Sequence, residues 1–177
     1  LILEKENFRH SLDDSPLGVR IATIEGDTIY ANRALLDFYA YDTLEELQKT
    51  PLKDRYTPES YAQAQKRKHQ RELSDFSDTK YEISIVRKNE EIRHLQVFRK
   101  EVLWDGVRQF QVIYEDITER KRIEVALRES EARFRSLFVN SLLGISIANP
   151  EGRLIQVNMA YARMYGYNNP EEMLANV

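Results

Sequence analysis

The sequence predicts an α+β fold: a five-stranded antiparallel sheet with short helices on one face, followed by a long linker helix. Three observations predict it. Two short β-rich runs lead into a cluster of helical patterns, and three longer runs of period two follow. After these comes a stretch without glycine or proline, which joins the unit to a partial second copy of its own beginning.

Residues 17–24 (Leu-Gly-Val-Arg-Ile-Ala-Thr-Ile) and 28–31 read as the first two strands, joined by the tight-turn signal Glu25-Gly26-Asp27. Asn32 precedes the compact helical pattern Arg33-Ala34-Leu35-Leu36-Asp37-Phe38-Tyr39 and is well placed as its N-cap. Thr43, with Glu46 three residues later, opens a second short helix in a capping-box arrangement. Pro58-Glu59 opens a third that runs to about Leu73, and its charges, Lys66-Arg67-Lys68 and Arg71-Glu72, predict a largely solvated surface. From Thr79 the period changes to two: Tyr81, Ile83 and Ile85 share one face of a strand, and Lys80, Glu82 and Ser84 the other. Asn89-Glu90 turns the chain into a long strand from Ile92 to Trp104. Asp105-Gly106 is a two-residue hairpin signal, and a last strand runs from Val107 to Glu115.

Shifting the sequence by 126 positions aligns residues 8–51 with 134–177 without a gap and gives 16 identities. Chance would give about one match in sixteen positions, so the segment is duplicated. Phe8-Arg9 falls on Phe134-Arg135, Ser15, Leu17 and Gly18 on Ser141, Leu143 and Gly144, and Asn32 on Asn158. The second copy has no counterpart of 52–116, so it is only the N-terminal part of a domain.

Composition removes several function classes. The 177 residues carry a net charge of −3 and no cysteine, which excludes a disulfide framework, a thiolate metal site, a cysteine nucleophile and a cysteinyl-flavin photocycle. The charge does not favour a nucleic-acid surface, and no apolar run approaches the about 20 residues of a membrane span. No phosphate loop, nucleophile elbow or kinase signature is present, and the three histidines are too scattered for a metal centre. The basic run Lys66–Arg71 is interspersed with Gln and reads as a solvated helix face. Both ends read as fragment boundaries, since the chain opens at Leu1 and stops at Val177 just after a helical pattern.

Ser15-Pro16-Leu17-Gly18, the Asp27…Tyr30-Ala31-Asn32-Arg33-Ala34 turn into a helix, Tyr39-Ala40-Tyr41 before Glu45-Glu46-Leu47, and the closing Asp116-Ile117-Thr118-Glu119-Arg120-Lys121 occur in order. In this set residues 8–118 resemble the PAS family in its sensory-box form, found in bacterial and archaeal sensor histidine kinases. The second copy resembles the same family through Ser141-Leu142-Leu143-Gly144, Gln156-Val157-Asn158 and Tyr165-Gly166-Tyr167. The resemblance implies a PAS fold with strand order 2-1-5-4-3 and a small pocket between sheet and helices. It also implies a closing motif, Asp116, Ile117 and Thr118, that hands a signal to the following helix. The segments are then 1–7, the end of an upstream signalling helix; 8–118, a complete sensor domain; 119–133, a coiled-coil-like linker; and 134–177, a truncated second PAS domain.

Ile117 to about Leu137 is rich in Glu, Arg, Ala and Leu and reads as continuous helix. Ile123, Leu127, Ser130, Phe134 and Leu137 alternate steps of four and three, the spacing of a coiled-coil seam, so Ile123, Leu127, Phe134 and Leu137 are expected to pair two copies in a parallel homodimer. Asp116 and Thr118, at the strand-to-helix corner, can each cap backbone N–H groups.

Candidate pocket residues are Phe38, Tyr39 and Tyr56 from the helices and Ile83, Ile85, Val97, Val112 and Tyr114 from the sheet. Tyr56 and Tyr114 stand out, because a buried hydroxyl wants a partner. The ligand and any cofactor stay unassigned. His69 lies in the helix that supplies the axial ligand in heme-binding PAS domains, but the family's ligand position falls nearer Gln65. His10 reads as a surface helix residue and His94 as a half-exposed strand residue. The expectation is a non-catalytic, cytoplasmic sensory module that binds a small molecule or a partner. It would pass the signal to an output domain of the same chain, a two-component histidine kinase with its phosphorelay. The alternatives are a ligand-free PAS serving dimerisation and spacing, and a heme-based gas sensor.

Overall fold

A computed structural model describes residues 10–72 and 79–176. The first copy contains β1 (Gly18–Ala22), β2 (Thr28–Ala31), α1 (Arg33–Tyr39), α2 (Leu44–Lys49), α3 (Leu52–Arg55), α4 (Pro58–Glu72), β3 (Lys80–Val86), β4 (Ile92–Trp104) and β5 (Val107–Asp116). The five strands form one antiparallel sheet in the order β2-β1-β5-β4-β3. α5 (Thr118–Asn140) follows directly, then β6 (Ser146–Ala148), β7 (Leu154–Val157), α6 (Met159–Met164) and α7 (Pro170–Ala175). The chain divides into two compact units at Lys121/Arg122. The segment 1–7, Phe8-Arg9 and Leu73 lie outside the described residues.

Local chemistry explains most boundaries. Asn32 and Thr43 cap α1 and α2 by accepting hydrogen bonds from Leu35 N and Glu46 N. Ala40, at φ 61°, ends α1 in the left-handed conformation usual for a helix C-terminus. Asp105 and Gly106 have φ of 52° and 77°, the paired positive values of a two-residue hairpin whose twist matches its strands. The one element without a sequence signal is α3, a single turn after Pro51 too short to show a period. β1 stops at Ala22 rather than residue 24, because Thr23 closes the turn: its N–H donates to Asp27 O at 2.8 Å and its Oγ1 accepts from Asp27 N at 3.1 Å.

The sheet buries both faces. Under the helices lie Leu35, Leu36, Tyr39, Tyr41 and Leu47, packed on Ile83, Ile85, Leu95, Val97, Val112 and Tyr114. On the opposite face Val19 and Ile21 pack with Leu12 and Trp104. The period of two sends Val19 and Ile21 to one side of β1 and Arg20 and Ala22 to the other. Register then puts Arg20 on β1 and Arg99 on β4 at either side of Val112 on β5, one row across three adjacent strands.

The duplication holds atom for atom at one residue. Asn32 Oδ1 accepts from Val19 N at 2.8 Å and Leu35 N at 3.1 Å, and its Nδ2 donates to Leu12 O at 2.7 Å and Leu17 O at 2.9 Å. Asn158 makes the four equivalent bonds, to Ile145 N, Tyr161 N, Phe138 O and Leu143 O, at 2.9–3.0 Å. In the second unit β6 and β7 pair, and Val157, Ala162 and Met173 form a small core. Leu142, Leu143 and Met164 are exposed there.

Candidate ligand cavity and sheet-to-helix junction

A cavity of about 750 Å³ lies in the first unit between the sheet and helices α2–α4. Its apolar walls are Leu44, Leu47, Leu52, Ile83, Phe110 and Val112, with Tyr56, Tyr61, Tyr81 and Tyr114 among them. Four arginines from four elements also line it: Arg20 on β1, Arg55 ending α3, Arg67 on α4 and Arg99 on β4. Arg67 is only 8% exposed, its guanidinium 4.1 Å over the Tyr81 ring, so the run 66–68 is not a wholly solvated face. Helical period turns Arg67 inward while Lys66 and Lys68 stay exposed. Arg99 sits 3.6 Å over the Phe110 ring.

Burial raises the hydroxyl pKa of Tyr39 and Tyr114, which stay protonated across the physiological range. Burial opposes the charge of Arg20; the rise in its pKa comes from Tyr114, Tyr56, Tyr39 and Tyr81. These carry a charge only as phenolates, so with the hydroxyls protonated nothing among them offsets the burial. Arg20 Nη1 reaches Thr28 Oγ1 at 3.5 Å; the Nε atoms of Arg20 and Arg55 are buried and have no hydrogen-bond partner among the described residues.

The second feature is the corner where β5 becomes α5. Asp116 Oδ1 accepts from Thr118 N at 2.9 Å, and Arg93 Nη1 holds Oδ2 at 2.8 Å. Burial disfavours the carboxylate, yet the bonds from Thr118 and the Arg93 charge prevail and hold its pKa below the ordinary value. Ile117 is 2% exposed and its N–H donates to His94 O at 2.9 Å. His94 N donates to Thr118 Oγ1 at 2.9 Å. Lys121 closes the corner on Glu82 of β3 at 2.5 Å.

A family model described as the PAS fold matches residues 6–117, more than half of the chain. The chain belongs to the PAS family. A second model, described as a PAS domain, matches residues 132–177. Sporulation kinase E of Bacillus subtilis (strain 168) is 22% identical over 173 residues, 97% of this chain and 22% of the kinase. The chain thus spans about a fifth of the length of that curated relative. Among solved structures, the PAS domain of an HTR-like protein from Haloarcula marismortui is 18% identical, with 66% of this chain and 100% of that chain covered and a TM-score of 0.51. A domain of the sensory box sensor histidine kinase/response regulator from Geobacter sulfurreducens is 16% identical, with 65% and 96% covered and a TM-score of 0.51. These likenesses establish the fold: the first unit is a PAS domain, similar to domains of sensor histidine kinases.

Of the expected PAS pocket residues, Tyr56, Ile83, Val112 and Tyr114 line the cavity. Phe38, Tyr39, Ile85 and Val97 do not; they belong to the core beside it, where Ile85 and Val97 are 0% and 1% exposed. Helix α4 turns Gln65 into the cavity and leaves His69 exposed outside its lining. His94 is more than a half-exposed strand residue, because its Nδ1 bonds Ser84 Oγ at 2.8 Å while its backbone binds the junction. The arginines were missed as pocket residues. The signal was there: Arg20 and Arg99 interrupt apolar runs at positions in phase with the helix-covered face. Among the described residues no helix is long and apolar enough to cross a membrane.

Proposed function

We propose that residues 8–118 form a non-catalytic sensory module that binds a small ligand in the cavity. The bound state passes through Asp116, Ile117 and Thr118 into α5 and reaches an output domain of the same protein, a histidine kinase in the cytoplasm. The observation that supports this is a path of hydrogen bonds from the cavity's helix to the output helix. Ser60, one residue before the cavity-lining Tyr61 of α4, accepts from Ser84 N at 2.7 Å. Ser84 Oγ bonds His94 Nδ1 at 2.8 Å, and His94 N binds Thr118 Oγ1 at 2.9 Å. A ligand that shifts α4 therefore pulls on β3, β4 and the first residue of α5. The signal leaves through a parallel dimer of linkers 119–133: Ile123, Leu127, Phe134 and Leu137 are each more than half exposed in the single chain, apolar surface that a second copy would cover.

Native mass spectrometry of the chain tests the reading against its denatured mass. A bound small molecule is expected. Thr118→Val should keep that adduct but remove the ligand-dependent change in amide exchange over residues 116–123. A bare native mass, with exchange there unmoved by any small molecule added, would reduce the module to a dimerising spacer.

A further inference from the structure

The cavity is charged in a way that its walls do not balance. Among the described residues six cationic side chains line it, Arg20, Lys53, Arg55, Arg67, Lys68 and Arg99, against two carboxylates, Glu25 and Asp27. That is an excess of four positive charges inside a chain whose net charge is −3. Both carboxylates sit on the exposed turn between β1 and β2, at the rim. Among the described residues no carboxylate pairs with Arg20, Arg55 or Arg67.

Guanidinium groups cannot escape burial by losing a proton, so a buried one without a counter-charge marks an incomplete site. At Arg20 and Arg55 the incompleteness has a direction. Their Nε atoms are buried away from the open cavity, so a ligand meets each guanidinium at its Nη end, whose paired N–H groups take a carboxylate through two parallel N–H···O bonds. Arg20, Arg55 and Tyr114 line the same cavity. Arg67 and Arg99 are fixed from the other elements by stacking on Tyr81 and Phe110. Between the charges the walls are apolar and aromatic, at Leu47, Ile83, Phe110 and Val112.

We propose that the cavity takes a small organic carboxylate with an apolar or aromatic body, its carboxylate on the guanidinium groups of Arg20 and Arg55 and its body against the sheet. This rests on the reading of the cavity as the sensory site and names the chemistry of what it senses. Shape and charge select together: the volume suits a small organic molecule, and the arginine edges suit a planar anion better than a hydrated cation or a neutral sugar.

Thermal unfolding of the whole chain, read by Trp104 fluorescence, tests the proposal with sodium phenylacetate, sodium adipate, phenylacetamide, phenyl phosphate, sodium phosphate and sodium chloride. Phenylacetate or adipate is expected to raise the midpoint in a saturable way, while the isosteric neutral amide and chloride do nothing. Arg20→Lys, which keeps the charge and loses the planar pair of donors, should weaken binding by about tenfold or more without lowering the midpoint of the unliganded chain. Arg20→Met and Arg55→Met should unfold at a higher midpoint than the parent without ligand, because each removes a half-buried charge that no described carboxylate pairs. Lower midpoints for both would show that the chain supplies the partner, and would overturn the proposal. So would stabilisation by phenylacetamide but by neither carboxylate, which leaves a sensory ligand site standing with another chemistry. Stabilisation by phenyl phosphate alone would replace the carboxylate by a phosphate ester. A carboxylate that binds and is lost in Arg20→Lys, yet leaves exchange over 116–123 unchanged, would sink the sensory reading and leave the anion site intact.

Discussion

Replacing Asn32 by Ala tests the reasoning from sequence to fold most sharply. Its side chain is fully buried and makes four hydrogen bonds at 2.7–3.1 Å, tying together the segment before β1, β1 itself and the start of α1. Losing the cap on Leu35 N costs about 1 kcal/mol. Val19 N is left as a buried donor without its acceptor, which costs about 1–3 kcal/mol more. The two carbonyls lose less, since a carbonyl tolerates undersatisfaction better than an N–H. The sum, about 3–4 kcal/mol, is a large part of the about 5–15 kcal/mol that holds a domain together. Urea unfolding followed by fluorescence isolates the first unit, because Trp104 is the chain's one tryptophan and packs 5.6 Å from the Tyr30 ring. With a slope of about 1–3 kcal/mol per molar urea, the midpoint should fall by at least about 1 M. Asn158→Ala removes the same four bonds from the second unit and should leave the Trp104 transition in place. A loss below about 1 kcal/mol for Asn32→Ala, or an equal shift for both variants, would refute the assignment of these bonds as the tie.

Gly18→Ala should cost about 1–3 kcal/mol by the same assay, since a Cβ there meets the Phe38 ring at 3.0 Å and Leu35 Cδ1 at 3.1 Å; a neutral result would mean that Phe38 moves aside easily. Asp116→Asn should lower stability by about 1–2 kcal/mol at pH 7, because Arg93 loses its nearer carboxylate at 2.8 Å and keeps only Glu91 at 3.9 Å. The Asp116 pKa is depressed in the folded chain, so its contribution is complete above the ordinary carboxylate range and fades as pH falls below about 4. Parent and variant midpoints should therefore converge in acid, and a constant gap would count against the ion pair. Leu127→Glu with Phe134→Glu should convert a dimer to a monomer in sedimentation velocity; an unchanged coefficient would dismiss the seam.

The fold was legible because its signals are local. Asn32 and Thr43 as caps, Asp105-Gly106 as a hairpin, and the alternation of Tyr81, Ile83 and Ile85 each act over a few residues, and the structure realises each where the pattern put it. Strand order 2-1-5-4-3 had no such local signal; it came with the resemblance. The site was only partly legible, because a cavity is where packing stops, and sequence shows which residues are apolar rather than which fail to touch. Ile85 and Val97 look like Ile83 and Val112 in the sequence, yet the first two fill the core and the second two face the void. Arg67 was hidden differently: within Lys66-Arg67-Lys68 all three read as solvated, and only the path of α4 past Tyr81 selects one.

The placement of the arginines also bears on how a signal could arise. A ligand shifts a conformational equilibrium only by its difference in affinity for the two states. Arg20 and Arg99 stand on the sheet, which the ladder of β1, β5 and β4 makes rigid, whereas Arg55 and Arg67 belong to α3 and α4. An anion that touches both sets binds well only when α4 is drawn to the sheet, so the difference in affinity is built into the site. Moving a population from 1:99 to 99:1 takes about 5.5 kcal/mol. Two charge-assisted arginine contacts at about 1.5–3 kcal/mol each reach that order, and one alone does not. Losing the guanidinium that holds the ligand from the helix side, as in Arg55→Gln, should then weaken the response at Thr118 more than it weakens binding, because the remaining contacts to the sheet hold the ligand without holding the helices.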